Sequence, residues 1–177
     1  MKTLKTNSLL LTVLFLLTMT ASVLAQDAKP KASPAMAATG KVGKATLTIN
    51  YSSPSVKGRT IWGELVPYNK AWRAGANEAT TFITDKDIMV EGKMLKAGKY
   101  SLFAVPSEKE WQIIFNSQTG QWGTTRQGAN FDPANTVLTV TVMPKKSAKM
   151  YESLTYDINA KGFSLLWENL EIPVAIK

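Results

Sequence analysis

Thr136-Val-Leu-Thr-Val-Thr-Val-Met143 is the stretch on which the fold turns. In an extended chain successive side chains point to opposite faces, so Leu138, Val140 and Val142 fall on one side and Val137, Thr139, Thr141 and Met143 on the other. Valine and threonine fit a pleated surface better than a helix, which makes this the clearest strand in the chain. The same period of two opens the domain, where Ala45, Leu47, Ile49 and Tyr51 alternate with Thr46, Thr48 and Asn50 until Ser52-Ser53-Pro54 ends the run.

Between these two, strands are expected over residues 78–84, 100–105 and 111–116. A hairpin pairs 88–90 with 94–95 around Glu91-Gly92-Lys93, where Gly92 supplies positive φ, and Ala97-Gly98 makes a second turn. Beyond Met143, residues 154–158, 163–167 and 170–176 read as strands, and Lys145, Lys146 and Lys149 as one loop. The only helical expectation is a short turn over 67–73, since proline suits a first helical position and Gly75 a stop. About eight to ten strands at near-regular spacing, with no long amphipathic helix, predict an all-β fold, an antiparallel β-sandwich or barrel-like domain.

Lys2 and Lys5, an apolar run over 9–17 and the small-residue pattern of Val23-Leu24-Ala25 predict a signal peptide over residues 1–25. The run is shorter than the roughly 20 apolar residues a membrane span needs, so no span is expected after cleavage; a retained anchor is the alternative. Residues 26–43 are rich in Ala, Pro, Lys and Gly and predict a flexible linker, which leaves 44–177 as a single domain. The expected destination is the periplasm or the exterior. The chain has 0 cysteines, which excludes disulfides, thiolate metal sites and a lipoprotein cysteine. The net charge of +8 comes mainly from dispersed lysines and no groove-reading motif accompanies it, so nucleic acid is not an expected partner. Oligomeric state is not encoded in these patterns.

The candidate site is GRTIWGELVPYNKAWRAGANEATTF, residues 58–82. It gathers Arg59, Trp62, Glu64, Tyr68, Trp72, Arg73, Asn77 and Glu78 on a backbone that glycine and proline keep turning. A long loop over 117–135 adds Trp122-Gly123 and Arg126. The chain has 0 histidines, which removes the commonest general base and metal ligand, and no glycine loop of a nucleotide-binding type is present; no metal and no cofactor are expected. Glu64 and Glu78 can be read as an acid and base acting on a glycosidic bond, or as partners of Arg59 and Arg73 in a structural network. Trp62, Tyr68, Trp72 and Trp122 can be read as an aromatic floor under a ligand or as a plug in the open end of a sandwich, whereas Trp111 and Trp167 sit in strand patterns and read as core.

The 58–82 stretch, followed by VEGKMLKAGKYSLFAVP and by LLWENLEIPV, resembles a family of secreted bacterial proteins known as domain of unknown function 2911. The resemblance covers residues 51–176 and implies export and a single domain; it brings no established catalytic residue. The chain departs from that pattern after Trp122-Gly123, where TTRQGANFDPAN replaces a short segment with a tyrosine. The leading expectation is non-enzymatic binding of a small or extended polar ligand, glycan or peptide, at Arg59, Trp62, Glu64, Tyr68, Trp72, Arg73, Asn77, Glu78 and Trp122. The alternatives are a glycan hydrolase using Glu64 and Glu78, and a structural or interaction module.

Overall fold

The computed structural model describes residues 31–177, so the expected signal peptide and the first part of the expected linker lie outside the described residues. It is an all-β antiparallel sandwich. One layer is a six-stranded sheet, ordered β1 (Ala35–Val42), β2 (Ala45–Ser52), β3 (Thr81–Thr84), β6 (Gly98–Val105), β7 (Trp111–Asn116) and β10 (Thr136–Val142). The other is built on the long hairpin of β11 (Lys145–Asn159) and β12 (Gly162–Ala175). Backbone pairing widens this second layer on both flanks. Leu154 N donates to Pro54 O at 2.9 Å and Val56 N to Glu152 O at 2.7 Å. On the far side Met89 and Lys177 exchange bonds of 2.8 and 2.9 Å, which attaches the small hairpin β4 (Ile88–Val90) and β5 (Lys93–Leu95) to the end of the chain.

The alternation in β10 has the sense its sequence requires: Leu138, Val140 and Val142 are buried, while Val137 and Met143 are exposed. They meet Leu47, Ile49 and Phe82 of the same sheet, and Leu154, Phe163, Leu165 and Val174 of the hairpin, in one continuous core. Residues 163–167 and 170–176, expected as two strands, form one. Glu168 takes φ 54, and across it the positions that enter the main core change from odd (Phe163, Leu165, Trp167) to even (Ile172, Val174, Ile176). A bulge flips the face that a strand presents, so the sequence signal splits although the hydrogen-bonded strand continues.

Three expectations are corrected. Residues 35–42, assigned by composition to the linker, are β1, paired with β2 from Ala35↔Ser52 to Val42↔Ala45. The absence of a side chain at Gly40 is a packing requirement: a Cβ there would stand 2.7 Å from Ile158 Cγ2 of β11. The helical turn over 67–73 is absent, because Asn69 sits at φ 59 and Trp72 N and O are committed to Ala104 at 2.7 and 2.8 Å. The short helical turn is instead a 3-10 turn, Pro133–Asn135, capped by the Asp132 side chain on Ala134 N. Lys145, Lys146 and Lys149 lie in β11, whose register slips between Lys146 and Thr155.

Part of the outer face of the six-stranded sheet is covered too. Phe103 and Ile114 point away from the main core into a second cluster with Ala79, and Phe131 stacks on Phe103 at 4.6 Å. The loop over 117–135, which also holds β8 (Thr124–Thr125) and β9 (Gly128–Ala129), is thus a lid over one sheet face. Residues Ala32–Lys177 form one compact unit. Among the described residues no helix is long and apolar enough to cross a membrane.

A chain beginning at Ala32 is expected to unfold at the same urea midpoint as one beginning at Gln26. One beginning at Gly43 should lose most of its stability by uncovering β2. Equal midpoints for the two truncations would return residues 35–42 to the linker.

Two loop carboxylates set the acid limb of stability. Asp85 accepts from Thr46 N at 2.7 Å, and that bond holds its carboxyl below the ordinary range. Asp87 accepts from Lys96 Nζ and Ala97 N, both at 2.8 Å, and is lowered first by the lysine and then by the amide. Because both are depressed in the folded chain, their contribution is present above the ordinary aspartate value and is lost as pH falls through the lower folded values. With no histidine or cysteine present, the midpoint should be flat from about pH 7 to 5 and fall below about pH 4. Asp85→Asn and Asp87→Asn should each flatten that fall; acid limbs that track the unmodified protein in both variants would assign it to other groups.

Candidate functional site

The turn running from Trp72 to Glu78 is fixed from beneath, residue by residue. The Trp72 ring stacks on Trp167 at 5.9 Å and 18°, and its Nε1 donates to Gly75 O at 3.1 Å. Ala74 is buried at φ 51, a left-handed conformation that costs a residue with a Cβ about 1–2 kcal/mol. It is held there by its own carbonyl, which accepts from Tyr156 Oη at 2.8 Å and Thr80 Oγ1 at 3.0 Å. Burial pushes the Tyr156 hydroxyl well above its ordinary pKa, so it stays a donor. Gly75 has no room for a side chain, since a Cβ would lie 2.7 Å from Thr80 Oγ1 and 3.2 Å from Ser52 O. Asn77, at φ 57, donates through Nδ2 to Ser33 O at 3.1 Å and accepts from Gly123 N at 3.0 Å. Glu78 then bridges to Trp122 through the backbone.

Arg73 is the side chain of this turn that the scaffold does not consume. Its stem lies flat on Gly123, where a Cβ would come within 2.2 Å of Arg73 Cδ. Its Nε is buried without an acceptor, and desolvation lowers its pKa from the ordinary arginine value. Arg73 forms no ion pair with Glu78 among the described residues. The left-handed Asn77 turns the chain so that Glu78 lines a different cleft, of about 490 Å³, with Tyr51 and Gln121.

Two other clefts meet at Arg73. One, of about 300 Å³, is lined by Lys57, Arg59, Leu65, Trp72, Arg73, Asn77 and Trp167 among others. The second, of about 440 Å³, shares Leu65, Trp72 and Arg73 with it and adds Lys70 and the β8–β9 hairpin. Arg59 is partly tied down, donating through Nε to Val56 O at 3.0 Å and through one Nη to Ser55 O. The chain belongs to the DUF2911 family. That statement rests on a family model, described as protein of unknown function (DUF2911), which matches residues 33–176. No curated protein and no solved structure matches the chain.

The DUF2911 match begins at Ser33, so β1 lies within the family's domain. Within that domain the nine candidate residues do not form one site. Arg59, Trp72, Arg73 and Asn77 share a cleft wall. Trp62 and Trp72 pack with Trp111 and Trp167 as a plug, Trp62 meeting the other three edge-on at 5.0–6.0 Å. Tyr68 lines a separate cleft with Asn69 and residues 107–110, and Trp122 is 50 % exposed beside Glu78, so the four aromatics do not make a common floor. Glu64 is exposed in a turn and does not line the cleft that Glu78 lines. Neither carboxylate pairs with Arg59 or Arg73, and neither has the apolar burial that acid catalysis on a glycosidic bond requires. Among the described residues no group of three or more His, Cys, Asp or Glu gathers to hold a metal.

Sequence reasoning missed Lys57, Leu65 and Lys70. Lys57-Gly58, with φ of 49 and 68, is a turn dipeptide whose signal was available; Gly123 was noticed without its reason, which is the arginine lying on it.

Tyr156→Phe and Thr80→Val should each cost about 0.5–1.5 kcal/mol in chemical denaturation, because the other hydroxyl still satisfies Ala74 O. The double variant should exceed their sum by about 1–3 kcal/mol, since it strands a buried carbonyl. Strict additivity would show that the two hydroxyls do not share the load.

Proposed function

We propose that this chain is an exported, non-enzymatic binding module that takes a polar ligand, a glycan or a peptide, across the paired clefts on either side of Arg73. The observation that carries this reading is a left-handed backbone on both sides of an arginine that has no ion-pair partner among the described residues. Lys57 and Asn77 hold positive φ on the lining of the first cleft, and Ala74, buried directly after Arg73, does so beneath it. Such conformations persist where the surrounding structure over-determines them, and they concentrate at sites that must hold a group in place. The turn spends Tyr156, Thr80, Asn77 and Gly123 on presenting one side chain whose Nε meets no acceptor among the described residues. Trp72 and Leu65 supply an apolar wall, and polar groups at its edge fix orientation, the usual make-up of a ligand site.

Titrating the ¹⁵N-labelled protein with a panel of oligosaccharides and short peptides tests this reading. Saturable amide shifts are expected at residues 72–77 and 123–129 for at least one member, with no turnover of that member. Shifts confined to other surfaces, or none across the panel at millimolar concentration, would sink the reading. Cleavage of an oligosaccharide that is abolished by Glu78→Gln with folding intact would replace it with the hydrolase.

A further inference from the structure

Four cations surround the two clefts that meet at Arg73: Lys57, Arg59 and Arg73 on the first, Lys70 and Arg73 on the second. Among the described residues no aspartate or glutamate lines either one. Glu152, beside the first cleft, accepts from Lys57 N at 2.9 Å and stands outside its lining. Packed protein surfaces usually intersperse charges of both signs, so a concave run of one sign marks the sign of what it attracts.

Arg73 sharpens this from a field to a contact. A buried donor on a cation needs an acceptor, and the Nε of Arg73 has none among the described residues. Its stem cannot swing aside to find one without leaving Gly123, on which it lies. Arg59 is in a complementary state: two of its nitrogens are bound to carbonyls, which orients the guanidinium, and none of its hydrogen bonds goes to a carboxylate. The walls between are Trp72, Leu65 and Trp167. A planar guanidinium matches two-oxygen anions with paired hydrogen bonds, and an aromatic wall beside it accepts an apolar body.

From this we infer that the group recognised here is an oxyanion, a carboxylate or a phosphoryl group carried on an apolar or aromatic body, with Arg73 as its principal contact and Arg59 as the second. The inference rests on the ligand-binding reading above and narrows it to one chemical class. Positive net charge over the whole chain adds steering for such a ligand, and binding weakens as salt rises.

The probes are phenylacetate, phenyl phosphate and the uncharged 2-phenylethanol, read on the Arg73 Nε–H and Trp72 indole resonances of the full chain. At least one anion is expected to move both signals saturably, with 2-phenylethanol binding more weakly by tenfold or more, on the order of one charged hydrogen bond. The tighter of the two anions names the source, carboxylate or phosphoryl. Arg73→Gln should remove that tenfold advantage, and Arg59→Gln, an exposed position that leaves folding intact, should reduce it. Should Arg73→Gln fail to fold, the Nε–H shift in the unmodified protein and the Arg59→Gln titration still decide the matter. Equal binding of 2-phenylethanol and the anions, with Trp72 shifted and Arg73 unmoved, overturns the oxyanion and keeps the cleft as a ligand site. Anion binding that leaves both signals unmoved overturns the oxyanion inference, and if the oligosaccharide and peptide panel also fails, the ligand-binding reading falls with it.

Discussion

The carbonyl of Ala74 is where the two layers and the loop system are tied together. Tyr156 reaches it from β11 in the hairpin layer, Thr80 from just before β3 in the six-stranded sheet, and the carbonyl belongs to neither. Tyr156 is itself steadied by Tyr51 of β2, edge-on at 4.9 Å. One acceptor thus ties the hairpin to the sheet at the point where the chain must adopt a left-handed residue. A buried carbonyl with two good donors offsets about the cost of that conformation, and without them the chain would relax toward ordinary φ and swing Arg73 off Gly123. The geometry of the clefts is therefore set in the core.

This explains an otherwise odd division of labour among the tryptophans. Trp62, Trp72, Trp111 and Trp167 form one packed group, and the indole N–H groups of Trp62, Trp111 and Trp167 are buried without acceptors. Only Trp72 finds one, and that acceptor is Gly75 O inside the same turn. The cluster is first an apolar plug between the layers, and its polar atoms are sacrificed to packing except where one of them braces Arg73. Aromatics in a motif rich in arginine and glutamate look like a binding surface in sequence because residue type does not reveal which face of a ring is covered.

The strands were legible because burial on one face writes a period of two into the sequence, as in β10 and β2, and because Gly92 marks a turn by a requirement of backbone conformation. β1 was not, since its alanines and glycine contribute a hydrogen-bond ladder and close approach to β11 in place of an apolar face. The left-handed Glu168 hid the continuity of β12: the strand stays paired with β11, whose extra residues absorb the register slip, while the core pattern changes phase. At the site, the sequence named Arg73, Trp72, Asn77 and Arg59, which do share a wall, and grouped with them Glu64, Glu78, Tyr68 and Trp122, which face elsewhere. Proximity along the chain is a poor guide through a segment with left-handed residues at 69, 74 and 77, because each one redirects everything after it.

The spacing of R-A-G-A-N-E makes the point most directly. A tight glycine turn would fold Arg73 back onto Glu78, and the pair would then be a self-satisfied structural contact with nothing left for a partner. Two left-handed residues in place of one send the carboxylate to the β1 side, where it takes its own place beside Trp122, and leave the guanidinium between two clefts. Separating these charges forfeits the attraction of a close ion pair and desolvates the arginine without neutralising it. A fold built only for stability would have kept the pair. That this one spends a strained alanine, a glycine without room for a methyl and two buried hydroxyls to keep them apart is the strongest physical argument that Arg73 is held for something outside the chain.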